Sequence, residues 1–379
     1  MIYIPRLLLS QFRFLDRIVD GKELTRKLLS VLSNVSLEVQ KEILACIPDI
    51  VEDSEHADVA SQLREELTAN KDLTCAAIEA LTYLNISQEQ VVQVRSTIVD
   101  MLKTFSFIDL PIVVNFLLES LTPQDSLEVV NEIRSNINFV TSSKLSAEEK
   151  EKINTSAKLT VDALKGRMQF QRHVADSWIK VLDSAQNVKM LDVPVIFILH
   201  WLERRKLVES LVRNKIRNSV LTEQHLEKAF SNHTQIVRDY FPSILALAQT
   251  LVRSSEPRIC LIGAALYRLA FTHFDSYCKQ EIVASLMAHI GSGSASEIDT
   301  SLNILSDLVK TQLTQITRFA VFIKGAIDYL DHNNLAIHHI RRLYLLLARL
   351  AFSASQNGHY LQDELHIIIR KQLTSGNSK

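Results

Sequence analysis

The chain has 379 residues, 47% of them hydrophobic, with only 8 glycines and 7 prolines, which excludes a disordered polymer and suits a folded, helix-rich protein. Its 42 basic and 43 acidic residues leave a formal charge of -1, so net charge gives no drive toward nucleic acid or membrane, and such binding needs a local patch. The length far exceeds the minimum for a stable core; it is large for one round domain and ordinary for an elongated stack.

At the start, Met1–Val19 is not expected to be a secretion signal. Arg6 follows Pro5, the apolar run Leu7–Leu9 is short, and Arg13, Asp16 and Arg17 interrupt it. No segment reaches the apolar length that spans a bilayer. From Gln88 to Phe105, Val91, Val94, Ile98, Met101, Leu102 and Phe105 form one helical stripe, while Gln93, Arg95, Thr97, Asp100 and Lys103 point elsewhere. Asp109-Leu110-Pro111 and Thr122-Pro123 mark helix starts, a capping side chain followed by a first-turn proline. Asn138–Lys158 is polar and charged, a flexible loop or short solvated helix, and we place a boundary there.

Glu203–Arg217 gathers Arg204, Arg205, Lys206, Arg213, Lys215 and Arg217 against Glu203 and Glu209. Helical spacing puts Lys206, Arg213 and Arg217 opposite Leu207, Val208 and Leu211. Such a stripe can face DNA phosphates, and without interleaved aromatics the contact would be independent of sequence; a solvated helix face has the same pattern. Further on, Ile236, Val237, Tyr240, Ile244, Leu247 and Ala248 make an apolar stripe with Arg238 off its centre, beside Asp239. That arginine reads either as a rim residue with a local carboxylate or as a partner-facing one. Gly291 and Gly293 close a helix and Ser294-Ala295-Ser296-Glu297 opens the next as a capping box. Asp331–Asn334 reads as a turn, and Leu335–Phe352 as a helix with Ile340, Leu343, Tyr344, Leu347, Leu350 and Ala351 on one face, widened by Leu345 and Leu346. His338, His339, Arg341 and Arg342 form a weaker basic cluster, the histidines expected as a partly exposed pair and not as ligands.

The periodicity implies an all-α chain: a right-handed α-solenoid of stacked antiparallel helix pairs, HEAT- or armadillo-like. Roughly 16 to 19 helices are expected, with pairs recurring about every 40 residues. The divisions are 1–137 helical repeats, 138–158 polar linker, 159–373 helical-repeat solenoid and 374–379 tail. Cys46, Cys75, Cys260 and Cys278 form no CxxC pair and are expected as free thiols. The sequence contains no GxSxG and no HExxH, and Gly291-Ser292-Gly293 lacks the third glycine of a dinucleotide fingerprint, so we expect no enzyme, no cofactor and no metal.

Several blocks in order carry a family likeness: Val212-Arg213-Asn214-Lys215-Ile216-Arg217, the run from Val237 to Gln249, the run from Phe274 to Val283, and His289-Ile290-Gly291-Ser292-Gly293. Val39–Ile43, Ile50–Ser54, Trp178–Lys180, Val321–Asp331 and Ile369–Leu373 extend it toward both ends. Together they resemble the Fanconi anaemia group D-two family, of whose longer chain they cover a central minority. The resemblance implies a nuclear helical solenoid acting in repair of DNA interstrand crosslinks. It implies pairing with the similar Fanconi anaemia group I protein into a clamp around double-stranded DNA, locked closed by ubiquitin. The family's ubiquitin-accepting lysine lies just before the residue that is Asp239 here, and this chain has Arg238 there. A guanidinium does not form the isopeptide bond, which leaves either a neighbour such as Lys228 as the substitute acceptor or no modification at all. By the same likeness Arg238, Asp239 and Tyr240 are partner-interface candidates. The alternative is a general helical-repeat adaptor that binds protein partners without DNA contact.

Overall fold

The computed structural model describes residues 4–12, 14–15, 19–119, 121–137, 146–291, 294–328, 335–352 and, from 361 to 370, all but 364 and 368. Among the described residues there is no strand. The chain divides into two compact units, residues 1–181 and 182–379.

The first unit contains α1 (Ile4–Phe12), α2 (Gly21–Val31), α3 (Leu37–Ile50), α4 (His56–Ala69), α5 (Thr74–Tyr83), α6 (Gln88–Met101), α7 (Leu110–Glu119), α8 (Ser126–Asn136) and α9 (Ala147–Phe170). α10 (Arg172–Ser184) runs across the division. Packing skips one helix at a time: α1, α3, α5, α7 and α9 form one layer, and α4, α6 and α8 the other. An amphipathic helix buries its stripe against its sequence neighbour and its next-but-one neighbour, which is the logic of a stacked repeat. In α6 the expected stripe is buried at Val91, Val94 and Ile98 and continues into Leu102.

The second unit contains α11 (Asp192–Trp201), α12 (Arg205–Arg217), α13 (Glu223–Asn232), α14 (Thr234–Arg238), α15 (Phe241–Val252), α16 (Pro257–His273), α17 (Ser276–Gly291), α18 (Ala295–Thr311), α19 (Leu313–Ile316), α20 (Ala320–Asp328) and α21 (Ile337–Ala351). The layers recur, α11, α13, α16, α18 and α21 in one, and α12, α15, α17 and α20 in the other. Every residue of α11 from Asp192 to His200 is buried, as the helix is apolar on all sides. Gly263 lets α16 approach the end of α15, since a Cβ there would lie 2.9 Å from the Val252 nitrogen. Each unit is thus a segment of all-α solenoid. The count reaches 21 among the described residues, above the expected range because the short α14 and α19 are separate elements.

Part of the expected linker is helical. Ser146 and Glu149 form a capping box, and α9 begins at Ala147 and runs for 24 residues. Residues 138–145, Gly293, the turn 331–334 and the tail 374–379 lie outside the described residues. At the start of α18, Ser294 is the N-cap but makes no side-chain cap bond. Its expected box partner Glu297 is drawn instead to His289 Nδ1 (3.0 Å) and Arg253 (3.5 Å). The four cysteines are free; Cys46 and Cys278 are buried and Cys75 and Cys260 half-buried.

Candidate functional site

The expected basic stripe on α12 divides in two. The helix buries Val208, Leu211, Val212 and Ile216. That arc leaves Leu207 56% exposed, so it does not belong to the apolar backing. At the C-terminal half, all three cations are engaged within the second unit. Arg213 is half-buried and its Nη2 donates to the Thr250 carbonyl at 3.3 Å. Lys215 Nζ donates to the carbonyls of Asp183 (2.7 Å) and Ala185 at the end of α10, where a helix leaves carbonyls without internal partners. Arg217 forks onto Glu256, the N-cap residue of α16, with Nε–Oε2 at 2.9 Å and Nη2–Oε1 at 2.6 Å. At the N-terminal end, Glu203 adopts φ 63° to turn the chain from α11 into α12. Arg204 is half-buried there, and Arg205 and Lys206 are exposed.

The second region begins where α13 gives way to the short α14. Ile236, Val237, Tyr240 and Phe241 are buried around it, and Phe230 stacks on Phe274 at 5.4 Å. Arg238 is the last residue of α14, its side chain 39% exposed. Its Nε donates to Asp275 Oδ2 at 2.6 Å. Asp275 stands just before α17, and its Oδ1 accepts the Cys278 N–H at 3.1 Å. A carboxylate there complements the helix N-terminus and satisfies one of its orphan donors. The Cys278 N–H first, and Arg238 second, hold the Asp275 carboxyl below its ordinary range. The same bond raises the Arg238 guanidinium. Burial pushes the Cys278 thiol up to about 11, so it is not a reactive thiolate.

Asp239 is exposed, but Tyr240, expected at a partner surface, is 2% exposed. Its ring belongs to the apolar stripe that the helical spacing already indicated, and the core takes it up. Lys228 is exposed on α13. Of the second basic cluster, His338 is exposed and His339 buried, while Arg342 bonds Asp299 and Asn303.

Sequence reasoning missed Asp275 as the partner of Arg238, although an aspartate opening a helical pattern is an N-cap signal. It also missed a buried polar chain in the second unit. Gln249 Nε2 donates to Ser285 Oγ at 2.9 Å, Ser285 and the Tyr267 hydroxyl share a bond of 2.7 Å, and Tyr267 meets His289 Nε2 at 3.1 Å. His289 then reaches Glu297. These residues are 18 or more apart in sequence, apart from the pairs within α17 and His289–Glu297, and no local spacing rule connects them.

The family model described as "Fanconi anaemia protein FancD2 nuclease" matches residues 1–379. The chain is 34% identical over 394 residues to the Fanconi anemia group D2 protein of Gallus gallus, covering 98% of this chain and 27% of that protein. It is 35% identical over 398 residues to the Fanconi anemia group D2 protein homolog of Mus musculus, covering 99% of this chain and 27% of the relative. The chain therefore spans about a quarter of the length of the curated relatives it matches.

Proposed function

This chain belongs to the Fanconi anaemia FancD2 family, and on that premise we propose that it is a non-catalytic DNA-repair scaffold, acting in the nucleus, that pairs with the Fanconi anaemia group I protein and helps clamp duplex DNA in interstrand-crosslink repair. Family membership supports the repair role. The observation that carries the site assignment is the division of α12. Arg213, Lys215 and Arg217 are engaged with groups of their own chain. Arg217 is exposed too, but its guanidinium is forked onto Glu256; exposed Arg205 and Lys206, beside half-buried Arg204, break no described bond when they meet a phosphate, and we assign phosphate contact to this end of the helix. Contact through lysine and arginine without aromatic stacking is sequence-independent and weakens steeply with salt.

Ubiquitin attachment at position 238 is chemically closed, because Arg238 has no primary amine and its guanidinium is bonded to Asp275. If ubiquitin is still conjugated, exposed Lys228 is the acceptor to test. Arg238 and Asp239 remain on the surface proposed to meet the partner; Tyr240 supports that surface from beneath.

The test mixes the purified chain with the group I protein, with and without duplex DNA, and follows complex formation by size exclusion with light scattering. A DNA-enhanced one-to-one complex is expected. No complex under either condition overturns the clamp reading. The word nuclease in the family description is checked in the same mixture: progressive shortening of the DNA in magnesium would replace the non-catalytic reading.

One feature favours the adaptor alternative. In the first unit a polar cavity of about 460 Å³ opens between α6 and α8, lined by Asp100, Asp125, Glu128 and Glu132 with Arg95 and Lys103. Its acidic excess suits a basic peptide. Partner capture that is indifferent to DNA would favour this reading.

A further inference from the structure

In the second unit α18 and α21 pack together. Asp299 lies on α18; His338 and His339 open α21. One donor atom from each of these three side chains lies within 4.8 Å of the other two. Asp299 Oδ1 is 3.3 Å from His339 Nε2 and 4.0 Å from His338 Nε2. The two imidazole rings are 3.9 Å apart between centroids.

His339 is 2% exposed; its Nδ1 has no hydrogen-bond partner, and its Nε2, although 3.3 Å from Asp299 Oδ1, makes no bond of hydrogen-bond geometry. An imidazole taken out of water in that condition costs free energy, and an occupant for its lone pair removes the cost. Neutral imidazole with a carboxylate is a borderline donor set that suits zinc and its first-row neighbours. Metal–ligand bonds of about 2.0–2.1 Å in a tetrahedron place the ligand atoms roughly 3.3 Å apart. The Asp299–His339 separation already has that value. His338, with its side chain 63% exposed, is free to close the remaining gap. A fourth position would face solvent on the exposed side.

Arg342 sets the electrostatics of the site. Its Nη1 donates to Asp299 Oδ1 at 2.9 Å and its Nη2 to Asn303 Oδ1 at 2.6 Å. The guanidinium opposes a cation by charge and fixes the carboxylate by geometry, as an outer partner of a metal-bound carboxylate does. We propose that Asp299, His338 and His339 bind a divalent transition-metal ion, zinc by preference, and that the ion ties α18 to α21. Because the ion would bind the folded pair of helices and not the open chain, it stabilises that layer of the second unit.

The test uses the 379-residue chain freed of metal with a chelator and titrated with cobalt(II), then zinc, while the visible spectrum is recorded. The expected result is saturation at one ion per chain, with a visible band and no thiolate charge-transfer absorption, and displacement by zinc. His338→Ala removes an exposed side chain and is expected to keep the native helical signal. It should weaken binding at least tenfold, about 1.4 kcal/mol, and abolish the zinc-induced rise in melting temperature. Asp299→Asn should act in the same direction. Binding by His338→Ala as tight as the parent, thiolate absorption pointing to the free cysteines, or no saturable binding would each overturn the proposal.

Discussion

The two units contain the same device in two settings. In the first, Arg95 of α6 reaches Asp125, the N-cap residue of α8, with Nη2–Oδ2 at 2.5 Å. In the second, Arg238 of α14 reaches Asp275 in front of α17. The partners are 30 and 37 residues apart, so in each case an arginine on one repeat pins the start of a helix on the next. The difference is water. Arg95 is 3% exposed, whereas the Arg238 side chain is 39% exposed. A cation in the first setting is shielded from competing water; in the second, solvent or another chain competes for it. The lesson is that the pairing motif does not determine its worth, and burial does.

The largest break in this comparison should come from Arg95→Ala. It leaves the partly buried Asp125 with Thr122 as its remaining side-chain donor and opens space beneath α8. A loss of about 3 kcal/mol is expected, read as a lower urea midpoint at unchanged slope. A loss no larger than that of Arg238→Ala would remove the distinction between the two settings.

Acid sharpens the contrast next. The Asp125 carboxyl is held low first by the Thr122 hydroxyl and then by Arg95; Asp275 is held low first by the Cys278 N–H and then by Arg238. A depressed carboxylate contributes stability that is complete above its unfolded pKa, near 4, and is lost as pH falls through the lower folded value. Stability should therefore decline from about pH 4 downward. Thr122→Val should flatten that decline, while Arg238→Ala should leave most of the Asp275 contribution in place. Equal flattening by both would contradict the assigned causes.

A smaller effect is expected at Arg238 itself. Arg238→Ala should cost no more than about 1 kcal/mol, as exposed pairs do. Arg238→Lys keeps the charge, should be nearly neutral by thermal melting, and supplies the amine that the guanidinium lacks. With conjugating enzymes present, a ubiquitin adduct at that lysine alone would support the partner-surface assignment. The smallest stability change belongs to Arg205→Glu with Lys206→Glu, which break no bond described within the chain. These two should leave the melting curve in place, weaken duplex DNA binding and reduce its salt slope by about two. Unchanged affinity would return this end of α12 to a plain solvated face.

How much of this was legible depends on the range of the physics. Local rules read well where α7 begins at Leu110 and where the apolar stripes of α6 and α21 are buried at Val94, Ile98, Leu343 and Leu347; the start expected at Thr122-Pro123 comes instead at Ser126, with Asp125 as the N-cap residue and Thr122 bonded to it. Even the start of α9 was written locally, as Ser146 and Glu149, but the charges around it gave it the look of a linker. What failed was long-range pairing. Arg95 was assigned by periodicity to the outside and Leu207 to the apolar backing, because a helical wheel cannot know which neighbour arrives; Tyr240 was read correctly by its spacing, and only the family likeness placed it at a surface. The partners of the α12 cations were hidden for the same reason: Thr250, Asp183 and Glu256 come from three other places in the chain.

α11 carries a consequence for experiment. Each residue from Asp192 to His200 is buried, and burial lowers the tendency of His200 to take up a proton. With no face on the solvent, its hydrogen-bonded amides lack the shallow openings that let surface helices trade protium for deuterium. They should exchange only when the second unit opens as a whole, which makes this helix an internal clock for the lifetime of the folded state.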